Sequence, residues 1–163
     1  MRTPQWIKKL GGHAGELFVC AELSKRGIPN ALLPENFSDD DILIGDKEGN
    51  NIGYVQVKAC HPDRSESFIL KEGAETWCEA KADHYCVFVW LGRPKTNDPP
   101  RYWIASKQEV GQACVEHSAH GATNNWERRF FPHDYPGARH ARLPEKWLNR
   151  WSMFDKYLPP PPE

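Results

Sequence analysis

The sequence lacks the features that mark secreted and membrane-spanning proteins. Its five cysteines are an odd number without a CxxC pair, so we expect reduced thiols rather than a disulfide framework. No apolar run approaches the roughly 18 residues of a membrane helix. The first residues contain no apolar h-region, so no signal peptide is expected either. These absences predict a cytoplasmic protein with no membrane partner.

The chain also lacks a strong net charge. Its formal charge is −1 at pH 7, which counts mildly against a nucleic-acid-binding protein. However, residues 1–30 and 126–158 each carry a net charge of +3, whereas residues 31–50 contain six acids and one lysine. An acidic centre between basic ends suits a metal site flanked by phosphate contacts. It equally suits a protein unrelated to nucleic acids.

Length and composition predict one globular domain. Residues 1–158 are enough to bury roughly 70% of the surface that the unfolded chain exposes, and 39% of the 163 residues are hydrophobic. Residues 159–163 form a Pro-rich tail that we expect to be extended and disordered.

The predicted elements alternate as in an α/β protein. A helix is predicted over 13–26 with Gly27 as its stop, followed by a short edge strand at 30–33. Residues 41–45 and 52–59 form a predicted hairpin around the turn cluster at 46–51. Further strands are expected at 68–70, 84–91 and 102–105, helical segments at 72–83, 106–117 and 144–157, and loop-like chain at 118–142.

The hairpin carries the residues with chemical potential. Gln56 and Lys58 share one face of the second strand, and the turn can bring Asp41 beside them. Phosphodiester cleavage needs a hard cation to neutralise the phosphate and activate a water. Mg²⁺, or Mn²⁺ in its place, would find oxygen ligands in the Asp41 carboxylate, the Gln56 amide and the Val57 backbone carbonyl.

Lys58 would hold the attacking water or stabilise the charge that develops on the phosphate. The same hairpin also fits an ordinary solvent-facing strand preceded by a turn residue. The residue types alone therefore leave both interpretations open.

Glu16 is the second acid of interest. It lies in the predicted first helix beside a run of apolar residues at 17–21, and a carboxylate buried there needs a cation or hydrogen-bond donors. Alternatively, Glu16 belongs to the first helical turn, where the helix dipole favours acids.

Several stretches, taken in order, resemble one nuclease superfamily. They are Glu16 with Leu23 and Gly27, residues 41–44 with a Gly49-containing turn, residues 55–58, and residues 81–89 followed by 102–105. Together they span residues 12–110. They resemble the PD-(D/E)xK superfamily, and within it the Holliday-junction-resolvase-like and Mrr-like restriction nucleases.

This resemblance implies a restriction-endonuclease-like α/β fold, in which helices flank a mixed central sheet in the order αβββαβ. It also implies metal-dependent phosphodiester hydrolysis by an endonuclease, with Asp41 as metal ligand, Lys58 as catalytic lysine and Glu16 in a supporting metal-site role. The second acid of the pattern is Gln56 here, as in some Mrr-like members. A neutral ligand binds Mg²⁺ less tightly, so the alternative is a catalytically inactive nuclease-fold domain that binds nucleic acid or a protein partner.

The expected partner is nucleic acid, with DNA as the substrate, and a homodimer would suit the cleavage of two strands. Tyr54 shares the face of Gln56 and Lys58, and His61 closely follows Lys58, although packing and a His-Pro turn explain these two residues equally well. Arginines interleaved with aromatics suit stacking on bases and gripping phosphate, but they also suit a loop anchored to the core, which we favour. The candidate nucleic-acid contacts are Tyr54, His61, Arg128, Arg129, Arg139 and Arg142.

Overall fold

The computed structural model describes residues 3–71, 73–119, 127–136 and 141–163. The first helix, α1, spans Gln5–Lys25 and begins directly after Pro4. It starts two turns earlier than the sequence predicts. The sequence does not predict these turns because Gly11 and Gly12 lower the helix propensity, each by about 1 kcal/mol relative to alanine in a helix interior. The helix ends as predicted before Gly27, whose φ of 80° is left-handed.

The central sheet has five strands in the order β1-β2-β3-β5-β6. The predicted hairpin is confirmed, since β2 pairs antiparallel with β3 from Ile42↔Val55 to Gly45↔Ile52. β3 and β5 run parallel, and the other neighbours are antiparallel. The strands are β1 (Asn30–Leu32), β2 (Ile42–Gly45), β3 (Ile52–Cys60), β5 (His84–Trp90) and β6 (Arg101–Ser106).

A two-stranded sheet lies apart from the central one. In it β4 (Phe68–Lys71) pairs antiparallel with β7 (Glu127–Phe130). The loop-like assignment of residues 118–142 was wrong at β7. The alternation of this strand, with Arg128 and Phe130 buried and Arg129 exposed, is hidden in the sequence because two arginines occupy adjacent positions.

Two predicted helical segments are 3₁₀-helices. The first is Ala74–Glu79, entered through Gly73 at a φ of 90°. The second is divided into Glu145–Trp147 and Trp151–Tyr157, because Asn149 between them has a φ of 51°. The second α-helix, α2, spans Lys107–Ala119, close to its predicted position.

Hydrophobic clusters cover both faces of the central sheet. One joins α1 to Val55, Val87 and the last 3₁₀-helix. The other joins α2, β4 and β7 to Phe88 and Trp103. The fold is therefore the expected mixed sheet with helices on both sides. None of the described helices is long and apolar enough to cross a membrane.

The approach of α1 to β3 depends on Gly15. A Cβ atom added there would lie 2.7 Å from the Cβ of Ala59 and 3.4 Å from Cγ1 of Val57. A Cβ atom added at Gly12 would meet no atom within 4 Å. The two glycines therefore occupy opposite environments within one helix.

We predict opposite effects of alanine at these positions on the free energy of unfolding. Gly15→Ala should lower it by about 1–3 kcal/mol, because overpacking outweighs the gain in helix propensity. Gly12→Ala should raise it by up to about 1 kcal/mol. Urea unfolding of both variants measures this, and equal effects would contradict the close packing at Gly15.

Candidate active site

The site forms at the start of β2, where Asp41 precedes Ile42 and β3 extends beyond its partner strand. The Asp41 N–H donates to the Val55 carbonyl at 2.9 Å, and the Val57 N–H then donates to Oδ2 of Asp41 at 2.7 Å. The carboxylate thus takes the place of the next β2 residue. Residues two apart in a strand direct their backbone groups to the same edge, so the Val57 carbonyl points to the same side of β3 as the Val55 carbonyl. We call this edge of β3, where it extends past β2 beside Asp41, the open edge.

Gln56 lies opposite Asp41 by continuation of the register, with Cys86 on its other side. Its Oε1 is buried and accepts no hydrogen bond from the described residues. An unsatisfied buried acceptor costs about 1–3 kcal/mol. The amide oxygen is therefore suited to a ligand that the protein itself does not supply.

Lys58 is half-buried on the same face of β3 as Gln56. Its charge reaches Asp41, whose pKa it lowers. The structure therefore brings Asp41, Gln56 and Lys58 to one region, with the Val57 backbone between the latter two.

Glu16 meets the hairpin from α1. It lines a cleft of about 480 Å³ together with Asp40, Asp41 and Glu35. Burial raises the pKa of Glu16, and the nearby Asp41 raises it further, against a lowering by His13. The gap between helix and hairpin is therefore acidic.

The pKa of Asp41 is also raised. Burial is the main cause, and Asp40 adds to it, while the Val57 N–H and Lys58 oppose it. Two carboxylates that are costly to ionise in one cleft gain from a cation.

These donors fit a divalent cation such as Mg²⁺, which accepts one or two carboxylates and keeps several waters. The described residues contain no group of three or more His, Cys, Asp or Glu side chains placed to hold a metal. The cleft brings together the two acids Glu16 and Asp41, whereas Gln56 and Lys58 are not among its lining residues.

A buried ion pair that sequence reasoning missed lies behind the site. Nζ of Lys107 is 2.7 Å from Oδ1 of Asp40, and both side chains are 8% exposed. Nδ1 of His84 lies 3.6 Å from Oδ2 of the same carboxylate. The ring of His84 also stacks on Tyr54 at 5.1 Å. In the sequence, the run of acids at 39–41 is the only sign of this ion pair, and it does not identify Lys107 or His84 as the partners of Asp40.

The candidate nucleic-acid contacts are dispersed. Tyr54 stacks on the ring of His84, and its contact with nucleic acid stays a prediction. Arg128 is buried and pairs with Glu75, and its contact with nucleic acid stays a prediction. Arg142 is exposed beside a bridge to Phe131. Arg139 lies outside the described residues.

His61 and Arg129 line a second cleft, of about 550 Å³, beyond the end of β3. Arg129 is exposed, and its Nη1 donates to Oγ of Ser67 at 2.8 Å. These two residues are therefore the candidates that the structure brings together, although at a distance along β3 from Asp41.

The fold resembles that of a known nuclease. The structure of a bacterial homing endonuclease, I-Ssp6803I, matches 91% of this chain and 93% of its own, with a TM-score of 0.53 and 11% identity. At this identity the likeness concerns the fold alone, which is endonuclease-like. No family model and no curated protein matches the sequence.

The raised pKa of Asp41 predicts a specific pH dependence of stability. A carboxyl group with a raised pKa binds its proton more tightly in the folded state, so its ionisation removes stability as the pH rises above about 4. Without divalent metal, the stability of Asp41→Asn relative to the wild type should therefore increase as the pH rises from 4 to 7. Thermal unfolding of both proteins across this range measures the difference.

Asp46 provides a control of opposite sign. Some desolvation at Asp46 is outweighed by hydrogen bonds from the Asn51 side chain and from the Asn50 and Asn51 N–H groups, so its pKa is lowered. Asp46→Asn should lose stability relative to the wild type as the pH rises. The same trend in both variants would contradict the assignment for Asp41.

Proposed function

We propose that this protein is a metal-dependent nuclease of the PD-(D/E)xK type, an endonuclease that hydrolyses phosphodiester bonds in DNA. The observation that carries the proposal is the Asp41 carboxylate, held at 2.7 Å on the Val57 N–H at the open edge of β3. It is flanked by the buried acceptor of Gln56 and the charge of Lys58. The endonuclease-like fold is consistent with this chemistry.

Asp41, Gln56, the Val57 carbonyl and Glu16 would hold the cation. When bound, Mg²⁺ or Mn²⁺ would neutralise the scissile phosphate and lower the pKa of a water. The protein's part is to position these oxygens before substrate arrives. The Asp41–Val57 hydrogen bond orients one carboxylate, and the strand fixes Gln56 and Lys58 two residues apart on one face.

Lys58 would act on the attacking water or on charge that appears only in the transition state. The Asp40–Lys107 pair would support Asp41 from behind, because the Lys107 charge also lowers the pKa of Asp41. Lys107 is a positioning residue in this scheme, and Lys58 a catalytic residue.

The second candidate function is a catalytically inactive nuclease-fold domain that binds nucleic acid or a protein partner. Gln56 favours it, because an amide contributes no charge to the cation where the family pattern has an acid. The two functions differ in whether wild-type protein cleaves DNA.

Lys58→Ala distinguishes the two functions. In a nuclease it should cost at least about a hundredfold in cleavage rate, the scale for losing one preorganised charge-stabilising group. Affinity for DNA should change far less, since one phosphate contact among several is a small part of the total. Single-turnover cleavage and binding without metal, measured side by side, give both numbers.

Lys47→Ala is the matched control, because Lys47 is exposed in the turn between β2 and β3. It should leave both quantities unchanged. A Lys58→Ala protein that cleaves as fast as the control would remove Lys58 from the mechanism. Binding without wild-type cleavage under any divalent metal would establish the inactive domain.

Gln56→Glu tests the proposed neutral ligand. A carboxylate at this position should bind Mg²⁺ more tightly than the amide, so the metal concentration for half-maximal cleavage should fall. Metal titration of wild type and variant measures the shift, with Gln112→Glu, exposed on α2, as the control. An unchanged or weaker metal dependence in folded Gln56→Glu would show that Gln56 does not face the cation.

A further inference from the structure

A basic cleft adjoins the acidic one. It lies where β3 ends, between the first turns of α1 and the chain that leads into β4. The two clefts share Gly12. The basic cleft is lined by Thr3, Ile7, Lys8, Gly11, Gly12, Ala59, Cys60, His61, Arg64, Ser65, Ser67, Ile69, Leu91 and Arg129.

The charges of the two clefts are opposite. The acidic cleft contains four acids, Glu16, Glu35, Asp40 and Asp41, against one lysine, Lys9, with His13 also in its lining. In the basic cleft, Lys8, Arg64 and Arg129 are accompanied by no Asp or Glu among the described lining residues. An anion would be repelled from the first cleft without a cation, and it would be attracted to the second.

Arg129 is held in place at the basic cleft. Its Nη1 donates to Oγ of Ser67, and this oxygen lies 2.9 Å from Oγ of Ser65. Ser67 is 5% exposed, so the hydroxyl that orients the guanidinium is fixed by the core. A guanidinium oriented in this way loses little entropy when it binds phosphate.

His61 adds a second polar group. Its Nδ1 is buried and has no hydrogen-bond partner among the described residues. Buried polar atoms without partners are rare in native proteins and call for an explanation such as an absent ligand. Here a phosphate oxygen would accept a hydrogen bond from the imidazole.

The open edge of β3 links the two clefts. Val57 borders the acidic cleft through Asp41, and Ala59 and His61 line the basic one. From Val57 to His61 the chain covers roughly 13 Å at about 3.3 Å per strand residue. Phosphates along one B-DNA strand are about 3.4 Å apart along the axis, so this span corresponds to a few nucleotides.

Gly12 lies at the passage between the clefts. A helix interior disfavours glycine by about 1 kcal/mol relative to alanine, yet a Cβ atom added at Gly12 would meet no atom within 4 Å. Packing therefore does not account for glycine at this position, whereas an unobstructed passage does.

We propose that the basic cleft binds a backbone phosphate of the strand that is cleaved at Asp41, a few nucleotides from the scissile bond. Arg129 and Arg64 neutralise this phosphate, His61 donates to it, and the strand crosses Gly12 along the open edge of β3. The inference rests on the proposed function, and it assigns a substrate-positioning subsite to that same site.

The test compares Arg64→Gln/Arg129→Gln with Lys47→Gln/Lys95→Gln, which removes the same charge from two exposed positions outside both clefts. Binding of a labelled DNA oligonucleotide is measured in EDTA at several salt concentrations. Each lost phosphate contact should reduce the slope of log K against log[salt] by about 0.7–0.9. The cleft variant loses the one phosphate that both arginines neutralise, so its slope should fall by about 0.7–0.9, and the control should keep the wild-type slope.

Cleavage by the same variants separates positioning from chemistry. The cleft residues supply binding that is equal in ground and transition states, so KM should rise while kcat stays within about threefold. Gly12→Leu should weaken binding by about tenfold or more without lowering the unfolding temperature. Ala21→Leu, at an exposed position of the same helix, should have no such effect.

The outcomes distinguish this inference from the proposed function. Wild-type cleavage with an unchanged salt slope in the cleft variant overturns the subsite and leaves the nuclease intact. Wild-type binding that depends on Arg64 and Arg129, without cleavage in any metal, supports the subsite and overturns the nuclease. A wild-type protein that neither binds nor cleaves DNA overturns both.

Discussion

The hydrogen bond from the Val57 N–H to Oδ2 of Asp41 is the constraint on which the candidate site depends. It ends the β2–β3 ladder, because a side-chain oxygen occupies the place of the next backbone carbonyl. It therefore leaves β3 with an open edge, and it fixes the carboxylate beside that edge. Two of the proposed cation ligands, Gln56 and the Val57 carbonyl, lie on this segment of β3, and Asp41 lies beside it. Gly15 contributes from the opposite face, since its missing side chain lets α1 approach Ala59 and carries Glu16 toward the hairpin.

The fold maintains this site at a cost to its own stability. Burial raises the pKa of both Asp41 and Glu16, so each is costly to ionise at neutral pH. Oε1 of Gln56 has no donor among the described residues, and the Asp40–Lys107 pair is desolvated. Such local conflicts concentrate at functional sites in natural proteins. A cation in the acidic cleft would offset the cost of ionising Glu16 and Asp41 together.

The sequence predicted the hairpin well, because period-two alternation and a turn cluster are local signals. The positions of Asp41, Gln56 and Lys58 follow from its register, and their chemistry stays a prediction. The early start of α1 was missed, since Gly11 and Gly12 contradict local helix propensity in the first turns of the helix. The Asp40–Lys107 pair joins residues that are distant in sequence, and nothing local links them. For the same reason, the sequence does not show that Arg128 points inward. It also does not show that α1, β7 and the chain after β3 together form the basic cleft.

A nuclease assay with Mg²⁺, Mn²⁺ or EDTA tests the central claim most directly. Duplex, branched and single-stranded DNA, together with RNA, would be incubated with wild-type protein and with Asp41→Ala, whose unfolding transition confirms that it is folded. The account predicts internal cleavage of DNA by wild type in either metal, none in EDTA, and none by Asp41→Ala. Cleavage that persists in EDTA or in Asp41→Ala, or no cleavage of any substrate by folded wild type in either metal, would contradict it.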